Sequence, residues 1–108
     1  MAFDALTVAH DLIRALRRPV ALIARHDADL ASQLRRAGTS IPGNLAEGRA
    51  RLGRDARYHY SVAAGSAREV DSHLRTAVGW GYVEDADVAE ALALLDRAHA
   101  LCWRLSGR

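Results

Sequence analysis

Apolar residues return every three or four positions along most of this chain, and apolar–polar alternation never runs for more than a few residues. This regularity excludes a β architecture, because a strand presents its faces with a period of two and a helix with a period of 3.6. Ala, Leu and Arg dominate, and β-branched residues are few, so helix propensity is high almost everywhere. No Asn-Gly or Asp-Gly hairpin turn occurs. A chain of 108 residues buries roughly 65% of its unfolded surface, enough for one core and not two. The expectation is all-α: a single domain over residues 1–108, with short connections that favour an antiparallel up-down-up-down four-helix bundle.

Four segments carry the pattern. The first runs from about Ala5 to Arg25, with Leu12, Leu16, Val20 and Ile23 at helical spacing. Pro19 lies inside it and predicts a kink or break near Arg18, since proline removes a backbone donor and crowds the preceding turn. Asp27 and Asp29 are candidate N-caps for the second segment, Leu30 to Leu52. Its core stripe is Leu30, Leu34, Ala37, Ile41, Leu45, Gly48 and Leu52. The step survives Pro42, which predicts one kinked helix rather than two. A further face, Thr39, Gly43, Ala46 and Ala50, is small where a solvated face would be charged, and predicts close approach of another helix. If so, Ala46→Leu costs about 1–3 kcal/mol by overpacking.

Gly53 ends the second segment and Asp55 can cap the third, Ala56 to Gly79. Here His59, Ala63, Ser66, Val70, Leu74 and Ala77 form the core stripe, opposite a solvated face of Arg57, Ser61, Arg68, Asp71 and Arg75. Gly79-Trp80-Gly81-Tyr82 is a turn signal. The fourth segment, Ala86 to Leu105, is capped by Glu84 or Asp85 and bears two apolar stripes. One is Val88, Leu92, Leu95, His99 and Cys102; the other is Leu94, Ala98, Leu101 and Leu105. Together they exceed the roughly 100° face that a monomeric bundle helix needs. The excess predicts a subunit interface and a homo-oligomer.

Little of the chain suits catalysis. Cys102 lies among Leu residues with no basic neighbour to lower its pKa. The five His form no i, i+4 pair and no H-E-x-x-H motif. His59 and His73 are roughly 21 Å apart along one helix, too far to share a metal. There are four Glu, and the close carboxylate pairs Asp27/Asp29 and Asp85/Asp87 read as helix N-terminal residues. No phosphate-binding glycine motif occurs. The expectation is a non-enzymatic protein with no cofactor, no metal and no small-molecule substrate. No apolar run reaches about 18 residues and no secretory leader is evident, so a cytoplasmic protein without membrane association is expected.

The local signal that remains is basic. All fifteen basic residues are Arg, and the net charge is only +2, too weak by itself to argue nucleic-acid binding. Arg49, Arg51, Arg54 and Arg57, however, fall within nine residues at the junction of segments two and three, with Asp55 opposing them. They should cluster at one end of the bundle, with Arg35 and Arg36 further along segment two. Such a cluster suits phosphate, which makes RNA or DNA a candidate partner. The alternative is a set of salt bridges in a protein–protein scaffold. Ser40, Asn44 and Glu47 share a polar face with Arg36 and Arg51, a candidate interface network that Glu69 of segment three could join.

Ser32-Gln33-Leu34-Arg35-Arg36-Ala37 followed by Ser40-Ile41-Pro42-Gly43-Asn44-Leu45-Ala46-Glu47-Gly48 resembles the signature of the four-helix bundle proteins known as 23S rRNA intervening-sequence proteins. Tyr58, Ala64-Gly65-Ser66, Glu69, Leu74 and Gly81-Tyr82 extend the resemblance downstream, and Phe3-Asp4, Leu6 and Val8 fit its opening. The chain departs from the pattern at Ala9, where the family commonly has Trp, and in the shorter, Pro19-bearing stretch before Arg35. The resemblance implies an antiparallel four-helix bundle assembling as a homopentameric ring. It implies no assigned biochemical role. A related basic pentamer, the accessory variability protein of diversity-generating retroelements, works with a reverse transcriptase and nucleic acid.

Overall fold

The computed structural model describes residues 3–107. Four helices account for most of them: α1 (Asp4–Ala24), α2 (Ala28–Arg49), α3 (Gly53–Trp80) and α4 (Asp85–Leu105). No strand occurs among the described residues. α1 packs on α2 and α4, and α3 packs on α2 and α4, so the four surround one core with α2 and α4 on a diagonal. No helix among the described residues is long and apolar enough to cross a membrane.

Most positions of the expected stripes supply the core, but Leu52, expected on the α2 stripe, lies beyond the end of that helix and is 90% exposed, and Val20 and His59 are only half-buried. Leu12, Ile23, Leu34, Ile41, Leu45, Leu74 and Leu95 are fully buried, and each contributes roughly 1.5–3 kcal/mol through the apolar surface it removes from water. Between them stand alanines, among them Ala9, Ala63 and Ala77, which have no exposed surface and let the helices approach closely.

The helix ends follow local chemistry. The Asp27 carboxylate accepts from the Leu30 N–H at 2.9 Å and starts α2. Asp87 accepts from the Glu84 N–H at 2.9 Å at the start of α4. α3 ends on Gly81 at φ 79°, with the Tyr82 N–H closing back on the Ala77 carbonyl, a turn that favours glycine. These two connections meet. The Tyr82 hydroxyl lies 3.4 Å from Asp27, and its ring stacks on His26 at 5.3 Å.

Several expectations need correction. α1 runs unbroken through Pro19, which is itself fully buried. α2 likewise continues through Pro42 but stops at Arg49, short of Leu52. Gly53 opens α3 instead of closing α2; its φ of 54° turns the chain, and Leu52 rather than Asp55 holds the N-cap position. Thr39, Gly43, Ala46 and Ala50 are exposed, and a Cβ on Gly43 would meet nothing within 4 Å. The small face is therefore unpacked within the chain, and Ala46→Leu should leave the melting temperature of an isolated chain unchanged. The apolar width of α4 is largely absorbed internally. Val88, Ala91, Leu95, Ala98 and Cys102 form the buried line, and Leu92, Leu94, Leu101 and Leu105 pack half-buried on either side.

One glycine has a demanding neighbour. A Cβ on Gly48 would lie 2.5–2.9 Å from three atoms of the Tyr60 ring. Gly48→Ala should therefore destabilise the protein by about 1–3 kcal/mol, the usual overpacking penalty, measured by denaturant unfolding. Gly65→Ala, where a Cβ meets nothing within 4 Å, should be neutral or slightly stabilising.

Candidate nucleic-acid interface

The connection between α2 and α3 covers residues 50–52, too short to separate the charges on either side of it. Arg49 is the last residue of α2, Arg51 lies in the connection, and Arg54 and Arg57 occupy the first turns of α3; all four are exposed. Arg51 is engaged with Glu47, one helical turn back, at 3.2 Å. The Arg49 guanidinium sits 5.1 Å above the Phe3 ring, which in turn packs against Tyr60 at 6.3 Å. Arg54 and Arg57 make no ion pair among the described residues. Arg57 lies against the end of α4, since a Cβ on Gly107 would meet its Cδ at 2.9 Å. That contact brings exposed Arg104, in the last turn of α4, to the same end.

Arg104 is a residue that the sequence reading missed, although its place in the last helical turn was visible. Two further groups stand among these arginines. Leu52 is 90% exposed and Tyr58 is 64% exposed, the latter with its ring edge-on to His59 at 5.3 Å. An exposed aromatic ring within a basic patch offers a stacking face beside phosphate-binding groups.

Arg35 and Arg36 do not join the cluster. Both are exposed on α2, but 13 or more residues of helix put them about 20 Å from Arg49. Arg35 lines a groove between α1 and α2 instead.

The polar residues divide as well. Ser40 and Asn44 come together, but their partners are Ser66 and His59 of α3. The Asn44 amide nitrogen donates to the Ser40 carbonyl and hydroxyl, each at 3.0 Å, and Ser40 Oγ lies 2.8 Å from Ser66 Oγ. His59 Nδ1 is 3.0 Å from Asn44 Oδ1. Because a carbonyl oxygen only accepts, His59 carries its proton on Nδ1, so His59 donates to Asn44 and Asn44 to Ser40, while either hydroxyl can donate between Ser40 and Ser66. Glu47 and Glu69 are not members. Glu47 pairs with Arg51, and Glu69 lies 3.4 Å from His73 on its own helix. The sequence signal for Ser66 and His59 was their spacing of two turns along a segment facing Ser40 and Asn44, obscured because both sit on an apolar stripe.

The remaining chemistry-bearing groups are dispersed. No group of three or more His, Cys, Asp or Glu among the described residues could hold a metal. Cys102 is fully buried, and burial pushes its thiol up to about 11.

A family model described as 23S rRNA-intervening sequence protein matches residues 3–103. The chain belongs to that family. The match takes in all of α1, α2 and α3 and most of α4, including the Arg-rich junction and the Ser40–Asn44–His59–Ser66 chain. No curated protein matches the chain.

Two outcomes follow. Asn44→Leu removes the central link between α2 and α3 and leaves the His59 N–H and the Ser40 hydroxyl short of partners; it should cost about 1–3 kcal/mol in chemical unfolding. Cys102 should resist thiol reagents at pH 8 until the chain unfolds. Its native thiol ionises near 11 against 9.0 when unshifted. A raised native pKa contributes stability that is complete below the unfolded value, so stability should decline as pH rises between about 9 and 11.

Proposed function

We propose that this member of the 23S rRNA-intervening sequence family is a non-enzymatic, homo-oligomeric RNA-binding protein whose contact surface is the Arg-rich end. In this reading the four helices form an antiparallel up-down-up-down bundle, and copies assemble into a cyclic, pentameric ring in the cytoplasm. One observation carries it: Arg49, Arg51, Arg54 and Arg57 gather exposed at one helix junction, with Arg104 at the same end and Tyr58 projecting among them. Among the described residues Arg54 and Arg57 have no carboxylate partner, which favours them as phosphate-binding groups. In a ring the patch repeats around one rim, and the summed potential exceeds what a net charge of +2 per chain would suggest. The family's description, which names an intervening sequence of 23S rRNA, favours RNA over DNA.

A protein–protein scaffold is the competing reading. It is favoured by Leu52, an apolar side chain left 90% exposed beside the same arginines. The two readings differ in their response to salt. Phosphate binding releases counterions, and for single strands each neutralised phosphate contributes a slope of about −0.7 in log K against log salt.

Binding of single-stranded RNA to the purified protein should weaken steeply between 50 and 200 mM salt. The Arg49→Glu/Arg51→Glu/Arg54→Glu/Arg57→Glu variant should lose at least roughly 100-fold in affinity and about 3 units of slope, with helix content and assembly mass unchanged. RNA binding by that variant at the original affinity would overturn the reading. Loss of assembly mass in the variant, with no RNA binding by the original chain, would favour the scaffold.

A further inference from the structure

A narrow cleft follows the seam where α3 packs on α4. Its near part measures about 140 Å³ and is lined by Ser61, Gly65 and Arg68 of α3, with His99, Trp103 and Ser106 across from them. A far part, about 150 Å³, shares Arg68 and His99 and adds Asp71 and Asp96. One turn before Ser61, Arg57 lies against Gly107, the neighbour of Ser106. The near part therefore borders the Arg-rich end of the molecule.

The near part suits one flat ring with a phosphate on either side. A cavity of roughly 150 Å³ accepts a single six-membered aromatic ring. Gly65 leaves the space clear, since a Cβ there would meet nothing within 4 Å. The Trp103 ring is 42% exposed and stacks on His99 at 6.1 Å. His99 Nε2 is buried and has no hydrogen-bond partner among the described residues, and the edge of an unpaired base carries both donors and acceptors. Arg57 and Arg68 stand at the two ends of the near part, about 16 Å apart along α3. Both are exposed, and neither makes an ion pair among the described residues. Asp71 pairs with Arg75 at 2.7 Å, and Asp96 makes the far part unfavourable to phosphate, so the anionic path ends at Arg68.

We propose that the near part of this cleft takes one unpaired base of single-stranded RNA, seated against Trp103 and His99, with the flanking phosphates on Arg57 and Arg68. Stacking on an aromatic side chain suits any base, because every base has a π-face. A duplex cannot use the cleft, because its bases are paired and stacked and only a splayed base presents a separate ring. The inference rests on the RNA-binding reading above and names the form of RNA that the surface selects.

Tryptophan fluorescence supplies the test. The chain has two tryptophans, and Trp80 lies exposed at the far end of α3. In a Trp80→Phe chain, Trp103 alone reports on the cleft. A short oligouridine should quench it, with the same midpoint as binding followed by the anisotropy of the labelled strand. A blunt, fully paired RNA duplex should leave it unquenched. Gly65→Leu in the same chain should abolish the quenching and weaken oligouridine binding roughly tenfold, the loss of one stacked base, with the unfolding midpoint preserved. Were that variant to unfold, the comparison of single strand with duplex decides by itself. If oligouridine binds with the expected salt dependence but leaves Trp103 unquenched, or if the duplex quenches it equally, the cleft is not a base site while RNA binding stands. Unchanged binding by a folded Gly65→Leu chain would have the same meaning. If the original chain binds no RNA, the RNA-binding reading falls and this inference falls with it.

Discussion

The Tyr60 ring lies against the backbone of α2 because Gly48 has no side chain to hold it off. Much of the molecule's basic end depends on that contact. Tyr60 supports Phe3, and Phe3 supports the guanidinium of Arg49. A glycine in the last turns of α2 thereby fixes how closely α3 approaches, where Phe3 packs and where the Arg49 guanidinium rests. Any side chain at position 48 would wedge α2 from α3 at the end where the short connection leaves no slack.

Register along the same pair of helices is a separate problem. A core of Leu, Ile and Ala repeated every three or four residues tolerates a slip of one turn, because apolar contacts are non-directional and alanines are interchangeable. The hydrogen-bonded chain from His59 through Asn44 to Ser40 and Ser66 does not tolerate it. Two of its bonds cross between the helices, Ser40 Oγ to Ser66 Oγ at 2.8 Å and His59 Nδ1 to Asn44 Oδ1 at 3.0 Å, and a slip of one turn, about 5.4 Å, would break both. Breaking them would leave half-buried polar groups without partners. Directional bonds thus select one alignment from several that packing alone would allow. That alignment places the ends of α2 and α3 level, so Arg49, Arg54 and Arg57 share a surface.

At the ends of α2 and α4 charge is distributed in the sense that the helix dipoles favour. Asp27 and Asp29 begin α2, and Glu84, Asp85 and Asp87 surround the start of α4. Arg49 and Arg104 close the same two helices at the other end. Arg49 and Arg104 thus serve local helix stability and the proposed RNA-binding rim alike, whereas Arg54 and Arg57, in the first turns of α3, oppose that helix's dipole.

The all-α class, the four segments, the core leucines, the Asp27 cap and the family were legible in the sequence, because each depends on spacing along one helix or on a contiguous motif. Pro19 does not break α1, since a helix held by packing on its neighbours survives the loss of one backbone bond. The α2 boundary was overrun because Gly53, read as a stop for the helix before it, adopts a positive φ and turns the chain into α3. The site was half legible. The four junction arginines are close in sequence and so had to be close in space. Arg104, the exposed Tyr58 and the Ser66 and His59 partners of Asn44 are brought to their places by contacts between helices. Periodicity reports which face of a helix turns inward, but which residues meet across the gap depends on how the helices are aligned, and only the tertiary structure decides that.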